Sequence, residues 1–178
     1  VSRLLIWVTG TAAVLIWGLM GRAKDFDPGH ITSHFGSVGN VLMAPAARWD
    51  TTWFTSIAQS GYGSDVARPA FFPLYPLAMR VGGVFTGDAV IAGLIVSLAA
   101  MLVALAALHR LTELELGGPA ARLTVWATAL FPMAFFLSAV YSESLFLALA
   151  VGALLAARLD RWALAGLLGG LAAATRSA

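Results

Sequence analysis

The sequence predicts an all-α membrane protein with several transmembrane helices, and three observations carry that prediction. Of 178 residues, 60 % are hydrophobic and 11 % charged, where a soluble domain is about 45–50 % apolar and about 25 % charged. Five stretches, 4–21, 89–108, 123–142, 144–157 and 162–175, hold no charged side chain, and a bilayer core takes about 20 apolar residues per helix. Between the first two lies a long aromatic connection, 22–88, where most connections run about 4–6 residues and longer ones are usually functional.

The first span is expected at 4–21. Arg3 precedes it as in a signal peptide, but no small-x-small cleavage site follows in Met20-Gly21-Arg22-Ala23-Lys24, so a retained helix is expected. In the long connection, Trp49, Trp53 and Ile57 recur at four-residue spacing in the company of Asp50, Thr51 and Gln59. That pattern predicts a short amphipathic helix lying at the membrane interface, in a connection expected to carry one or two such interfacial helices. A second apolar piece, 71–77, follows Gly61 and Gly63, and the rings of Trp49, Trp53, Phe54, Tyr62, Phe71, Phe72 and Tyr75 match an interfacial aromatic belt.

The second span is expected at 89–109. From 123 to 157 only Glu143 is charged, and one helix of that length, at about 1.5 Å per residue, would be about 52 Å long, too long for a single crossing. Two spans, 123–138 and 143–157, fit instead, broken between Pro132 and Ser142 because proline removes a helix donor. A last span, 162–176, carries Gly166 and Gly170, a spacing that favours close helix packing. The whole chain, 1–178, reads as a single transmembrane domain. It starts at Val1 and stops just after an apolar run, as an N-terminal fragment would.

Charge sets the orientation. Arg110, Arg122, Arg158 and Arg161 lie in the short connections, which the positive-inside rule makes cytoplasmic. Arg3 agrees; Arg22 and Lys24 oppose it and are partly offset by Asp25 and Asp27. The 22–88 segment, the 141–144 turn and the end near Arg176 then share the outer face. A net charge of +2 without a basic run longer than two residues excludes nucleic acid as a main partner. No cysteine is present, so disulfides and thiolate metal sites are excluded.

Asp50 is the first candidate for chemistry, since a carboxylate between two tryptophans costs desolvation and such groups serve as general bases. Its bland alternative is a solvated charge on an interfacial helix. Glu143 is the second, because ionisable side chains at the edge of a span are costly and mark functional sites; its alternative is a carboxylate at the next helix N-terminus. Arg48, Arg68, Arg80 and Arg176 share the predicted outer face, and guanidinium forks suit a phosphate. His30 and His34 lack a third ligand, so no metal site is assigned. Gly61-Tyr62-Gly63 lacks the third glycine of a dinucleotide loop. A transporter would distribute polar residues along its helices, whereas 89–108 has one serine; a non-catalytic scaffold would need no acid in the aromatic loop.

Three motifs occur in order. They are Arg48-Trp49-Asp50 with Phe54, Ile57-Ala58 and Ser60-Gly61-Tyr62; then Ala70-Phe71-Phe72-Pro73-Leu74-Tyr75-Pro76; then Phe131-Pro132, Tyr141-Ser142-Glu143-Ser144-Leu145-Phe146 and Ala174-Thr175-Arg176-Ser177. Over about residues 45–178 the chain resembles the second GPI mannosyltransferase family, PIG-V. The resemblance implies a GT-C type glycosyltransferase that takes a sugar, mannose, from a polyprenyl or dolichyl phosphate and gives it to a glycan or glycolipid acceptor. It implies a catalytic acid in the first outer loop, which is Asp50 here. For that chemistry Glu143 is expected to orient the acceptor or a partner residue behind it, and Arg48, Trp49, Arg68, Tyr141 and Arg176 are expected around the substrates. No cofactor is implied beyond that lipid-linked donor. The implied location is the cell membrane of a bacterium or the endoplasmic reticulum membrane of a eukaryote. The family continues past the Arg-Ser pair with further membrane helices.

Overall fold

Asp88 starts the central helix. Its Oδ1 accepts the backbone N–H groups of Val90 (2.8 Å) and Ile91 (3.0 Å), satisfying donors that a helix start leaves orphaned. Just before it, Gly87 ends the preceding helix in a left-handed conformation, φ 77°, as glycine does at helix C-termini. The structure, a computed structural model, describes residues 2–19 and 30–176. Arg22, Lys24, Asp25 and Asp27, the absent cleavage site, and Ser177 of the last motif lie outside the described residues.

Along the chain run α1 (Ser2–Leu19), α2 (Gly36–Met43), α3 (Thr51–Ser60), α4 (Leu74–Thr86), α5 (Ala89–Leu116), α6 (Gly118–Leu130), α7 (Glu143–Arg158) and α8 (Trp162–Ala173). Short 3-10 turns occupy Ser33–Phe35, Arg68–Ala70 and Pro132–Ser138. Among the described residues there is no strand, and the regular structure they form is all helical. Among the described residues one helix, α5, is long and apolar enough to cross a membrane, and a second span results if α6 and the Pro132–Ser138 turn, bent by 83°, count together.

Several boundaries differ from the sequence reading. α5 runs on to Leu116, past the expected end at 109, because Arg110, Glu113 and Glu115 are good helix formers that end the apolar run without ending the helix. Arg110 Nη1 lies 2.7 Å from Glu113 Oε2, and Arg158 of α7 reaches Glu115. α6 begins at Gly118 with Pro119 in its first turn, where a proline's missing donor costs nothing. Within the 22–88 segment, where one or two interfacial helices are expected, the described residues form three, α2, α3 and α4. α3 begins after Asp50, and its buried face is Thr51, Phe54, Thr55, Ile57 and Ala58, so of the Trp49, Trp53 and Ile57 stripe Ile57 alone is buried.

α5 packs against α4, α6 and α7, and α7 against α8. α5 and α7 meet through Ala100, Ala104 and Ala148, small side chains that let helix axes approach. The main core joins Ala47, Phe54 and Ala58 to Tyr75 and Met79 of α4, Val90 of α5 and the 139–141 segment. At Gly166 and Gly170 an added Cβ would meet nothing within 4 Å, so no described helix uses that pair for packing.

Candidate active site

Residues far apart in sequence are joined by main-chain bonds. Val140 N–H donates to Ala46 O (2.8 Å), and Thr51 Oγ1 donates to Val140 O (3.1 Å). The Tyr141 hydroxyl donates to Arg48 O (3.0 Å) and accepts the Asp50 N–H (3.1 Å). Leu74 N–H donates to Ala174 O (2.9 Å), which brings the 70–76 motif to the 174–176 motif. Space for the 139–141 segment comes from Gly93 of α5, where a Cβ would stand 2.6 Å from Val140 Cγ1.

Behind this seam lies a buried polar chain. The Tyr75 hydroxyl is 3.0 Å from Gly93 O and 2.7 Å from Ser97 Oγ, and Ser97 Oγ donates to Tyr141 O (3.1 Å). Burial pushes the phenols of Tyr75 and Tyr141 above their ordinary range, since a phenolate would lose its hydration. At Tyr141 the nearby Asp50 carboxylate adds to the shift. Both phenols therefore stay neutral donors near pH 7.

The joined segments surround a cleft of about 160 Å³. Asp50 and Phe54 line it from the first motif, Ala70, Phe71 and Phe72 from the second, and Tyr141, Ser142, Glu143, Thr175 and Arg176 from the third. Asp50 stands at the head of α3, yet its carboxylate makes no capping hydrogen bond. Glu143 is the first residue of α7. Its Oε1 accepts from Arg176 Nη1 at 3.3 Å, while its Oε2 is buried without a hydrogen-bond partner among the described residues. The α7 N-terminus and Arg176 both set positive potential at that carboxylate. Arg176 also lies over the Phe146 ring, 5.8 Å from its centre.

Asp50, Glu143, Tyr141 and Arg176 thus meet in one cleft, and Arg48, Trp49, Arg68 and Arg80 do not line it. Asp50 is exposed, contrary to the expectation of a carboxylate desolvated between two rings. Trp49 has a left-handed φ of 51° and turns to Phe135 and Phe136, while Trp53 stacks on Phe71 at 5.6 Å, so the rings diverge. Arg48, buried, and Trp49 line a separate groove of about 380 Å³ between α1 and the Pro132–Ser138 turn, walled by Ile6, Val14, Pro45 and Phe135. Arg68 donates to Ser56 Oγ (2.8 Å), Ser60 Oγ (3.1 Å) and Gly61 O, and so fastens the loop after α3.

His34 Nε2 lies 2.9 Å from Asp88 Oδ2, and among the described residues no group of three potential metal ligands occurs. Sequence reasoning did not single out Phe72, Ser142 or Thr175 as lining the cleft, although each belongs to a quoted motif. Thr175 is buried and donates to Ala172 O (2.6 Å), turning the chain after α8 so that Arg176 reaches Glu143.

Comparison with known proteins yields a family. Neither a curated protein nor a solved structure gives a match. The family model described as Mannosyltransferase (PIG-V) matches residues 22–178, a range that holds every segment lining the cleft. The chain therefore belongs to the PIG-V mannosyltransferase family.

Proposed function

We propose that the cleft transfers mannose from a polyprenyl phosphate to a hydroxyl of a glycan or glycolipid, on the outer or lumenal face of a membrane. The observation that carries the proposal is the meeting of two carboxylates and a guanidinium in one cleft, Asp50 more than 90 residues before Glu143 and Arg176 in the chain. Asp50 acts as general base. Its carboxylate, not spent on capping α3, takes the proton of the acceptor hydroxyl, and the oxygen attacks the anomeric carbon. The bond from that carbon to the phosphate oxygen breaks, and the phosphate leaves with the electron pair.

Arg176 holds the departing phosphate through charge-assisted hydrogen bonds. Glu143 orients Arg176 through its Oε1 and borders the cleft where the acceptor hydroxyl would sit. Because the donor carries its own leaving group, positioning and electrostatics supply the catalysis. No metal is assigned a part.

The lipid portion of the donor fits the neighbouring groove. Its walls are apolar except for Thr9 and Arg48, and Trp49 and Asp50, adjacent in the chain, face groove and cleft respectively. The bilayer supports the same reading: Leu102, Val103, Trp126, Leu154 and Leu167 are each more than half exposed, beyond what a water-facing surface normally carries. The architecture is of GT-C type, with several membrane helices and the cleft on the face opposite Arg110, Arg122, Arg158 and Arg161. Its location is the cell membrane in a bacterium or the endoplasmic reticulum membrane in a eukaryote.

A donor comparison tests the proposal. Membranes containing the protein are supplied with acceptor and labelled mannose, either on polyprenyl phosphate or on a nucleoside diphosphate with lipid-carrier charging blocked. Transfer is expected from the lipid-linked donor alone. Transfer from the nucleotide sugar would contradict the proposal.

A further inference from the structure

We infer that Tyr141 is a positioning residue for Asp50, its phenol holding the Arg48-Trp49-Asp50 backbone in the left-handed turn that aims the carboxylate into the cleft. The inference rests on the transfer reading above. Its geometric basis is one hydroxyl that bonds both sides of a single strained residue: it donates to Arg48 O (3.0 Å) and accepts the Asp50 N–H (3.1 Å). The residue between them is Trp49, at φ 51°, a region where a bulky non-glycine side chain is an outlier.

Such backbone persists only where its surroundings over-determine it; the two phenol bonds add to the local bonds from Thr51 N–H to Arg48 O (3.1 Å) and from Thr52 N–H to Trp49 O (3.2 Å) and tie the turn to a distant, buried segment. Trp49's ring makes edge and tilted approaches to Phe135 and Phe136 at 6.0 and 6.3 Å, and the residue is 65 % exposed. Sequence offers no local reason for the turn either, since glycine or asparagine would serve there at lower strain.

The post that carries the phenol is itself fixed. Tyr141 is buried among Phe54 and Phe136. Its carbonyl accepts from Ser97 Oγ, which in turn meets the Tyr75 hydroxyl. A network of this kind, satisfied throughout, resists displacement. The hydroxyl's proton is committed to Arg48 O, so Tyr141 borders the cleft without offering that proton to a substrate. Its effect on the reaction passes through Asp50. The burial that keeps the phenol neutral keeps it a donor as well.

A double-mutant cycle tests the inference: the full-length protein in membranes, Tyr141→Phe, Trp49→Gly and the pair, each read as kcat and KM with mannosyl polyprenyl phosphate. Tyr141→Phe keeps the ring and removes both bonds, so kcat is expected to fall by up to about 10²-fold, the cost of a misplacement near 1 Å, with donor KM little changed. Glycine accepts the left-handed turn unaided. In the Trp49→Gly background the same Tyr141→Phe change is therefore expected to cost less than about threefold, a coupling that independent sites do not show.

If the two losses simply multiply, Tyr141 acts on the substrate or the fold at large, and the inference is wrong. It is equally wrong if Tyr141→Phe keeps the parent kcat. Should Tyr141→Phe fail to fold, a folded double variant supports the clamp, and an unfolded one overturns it. A parent protein without transfer from the lipid-linked donor refutes the transfer reading itself and takes the inference with it.

Discussion

Replacing Gly93 by alanine adds one methyl group at the tightest helix contact behind the cleft. That carbon would stand 2.6 Å from Val140 Cγ1, 3.1 Å from Met79 Cε and 3.2 Å from Met79 Cγ. Val140 and Met79 are both fully buried, so neither has room to withdraw. Two effects oppose each other. Alanine is favoured over glycine inside a helix by about 1 kcal/mol, whereas overpacking a filled core costs typically about 1–3 kcal/mol. Gly166→Ala in α8 supplies the control, because an added Cβ there meets nothing within 4 Å and only the helix-propensity gain remains.

The two variants should therefore differ by about 1–3 kcal/mol, which for a chain of this size is a separation of roughly 2–12 °C in Tm. Thermal unfolding in detergent micelles, followed by tryptophan fluorescence, measures it. Transfer activity should follow: Val140 holds Ala46 and Thr51 through its N–H and C=O, so displacing it moves Asp50, while Gly166→Ala leaves the rate unchanged. Equal shifts in Tm for both variants would show that the close approach of α5 to the 139–141 segment is not what holds the cleft together.

Tyr75→Phe strips a partner from Gly93 O and Ser97 Oγ in a dry environment, and an unmet buried group costs about 1–3 kcal/mol. A Tm equal to the parent's would contradict the buried network. Arg176→Ala should raise KM for the donor by roughly tenfold or slightly more, since a hydrogen bond to a charged group is worth about 1.5–3 kcal/mol and this guanidinium is 48 % exposed. An unchanged KM, with the loss in kcat alone, would remove phosphate holding from Arg176. Single cysteines at positions 110, 158 and 161 should react with an impermeant reagent from the side opposite to one at position 50, in a chain that has no cysteine of its own. Labelling of 110 and 50 from the same side would refute the topology.

How much of this could be read beforehand differs from element to element. α5 was visible because its apolar run is unbroken, but its true end was not, since charge marks where hydrocarbon stops and a helix of good formers does not stop with it. α4 has Pro73 and Pro76 at its start and the Gly82-Gly83 pair inside it, residue types that disfavour a helix. In the structure Pro73 precedes the helix and Pro76 sits in its first turn, where no donor is lost, and Gly82 lets Ala92 approach to 3.0 Å of its would-be Cβ.

Asp50, Glu143 and Arg176 could be nominated because carboxylates and guanidinium groups are conspicuous in such an apolar chain. Their meeting could not, because it depends on hydrogen bonds between residues about 90 apart. Arg48 and Arg68 show the converse: the same residue type on the same outer segment goes to a separate groove in one case and to loop fastening in the other. Nor does periodicity reveal the left-handed Trp49 that separates the groove side from the cleft side. Phe72 and Thr175 carry no charge to draw notice, and only tertiary contact brings them to the cleft.

The central claim is that the Asp50 carboxylate takes the acceptor's proton. Asp50→Asn keeps the size of the side chain and its ability to accept a hydrogen bond but cannot hold that proton. With mannosyl polyprenyl phosphate as donor, the transfer rate of this variant should fall by about 10²–10⁴-fold while donor binding, measured separately, stays close to the parent's. A variant that retains more than about a tenth of the parent rate, outside the range for a lost general base, would make Asp50 a structural acid and pass the role to Glu143.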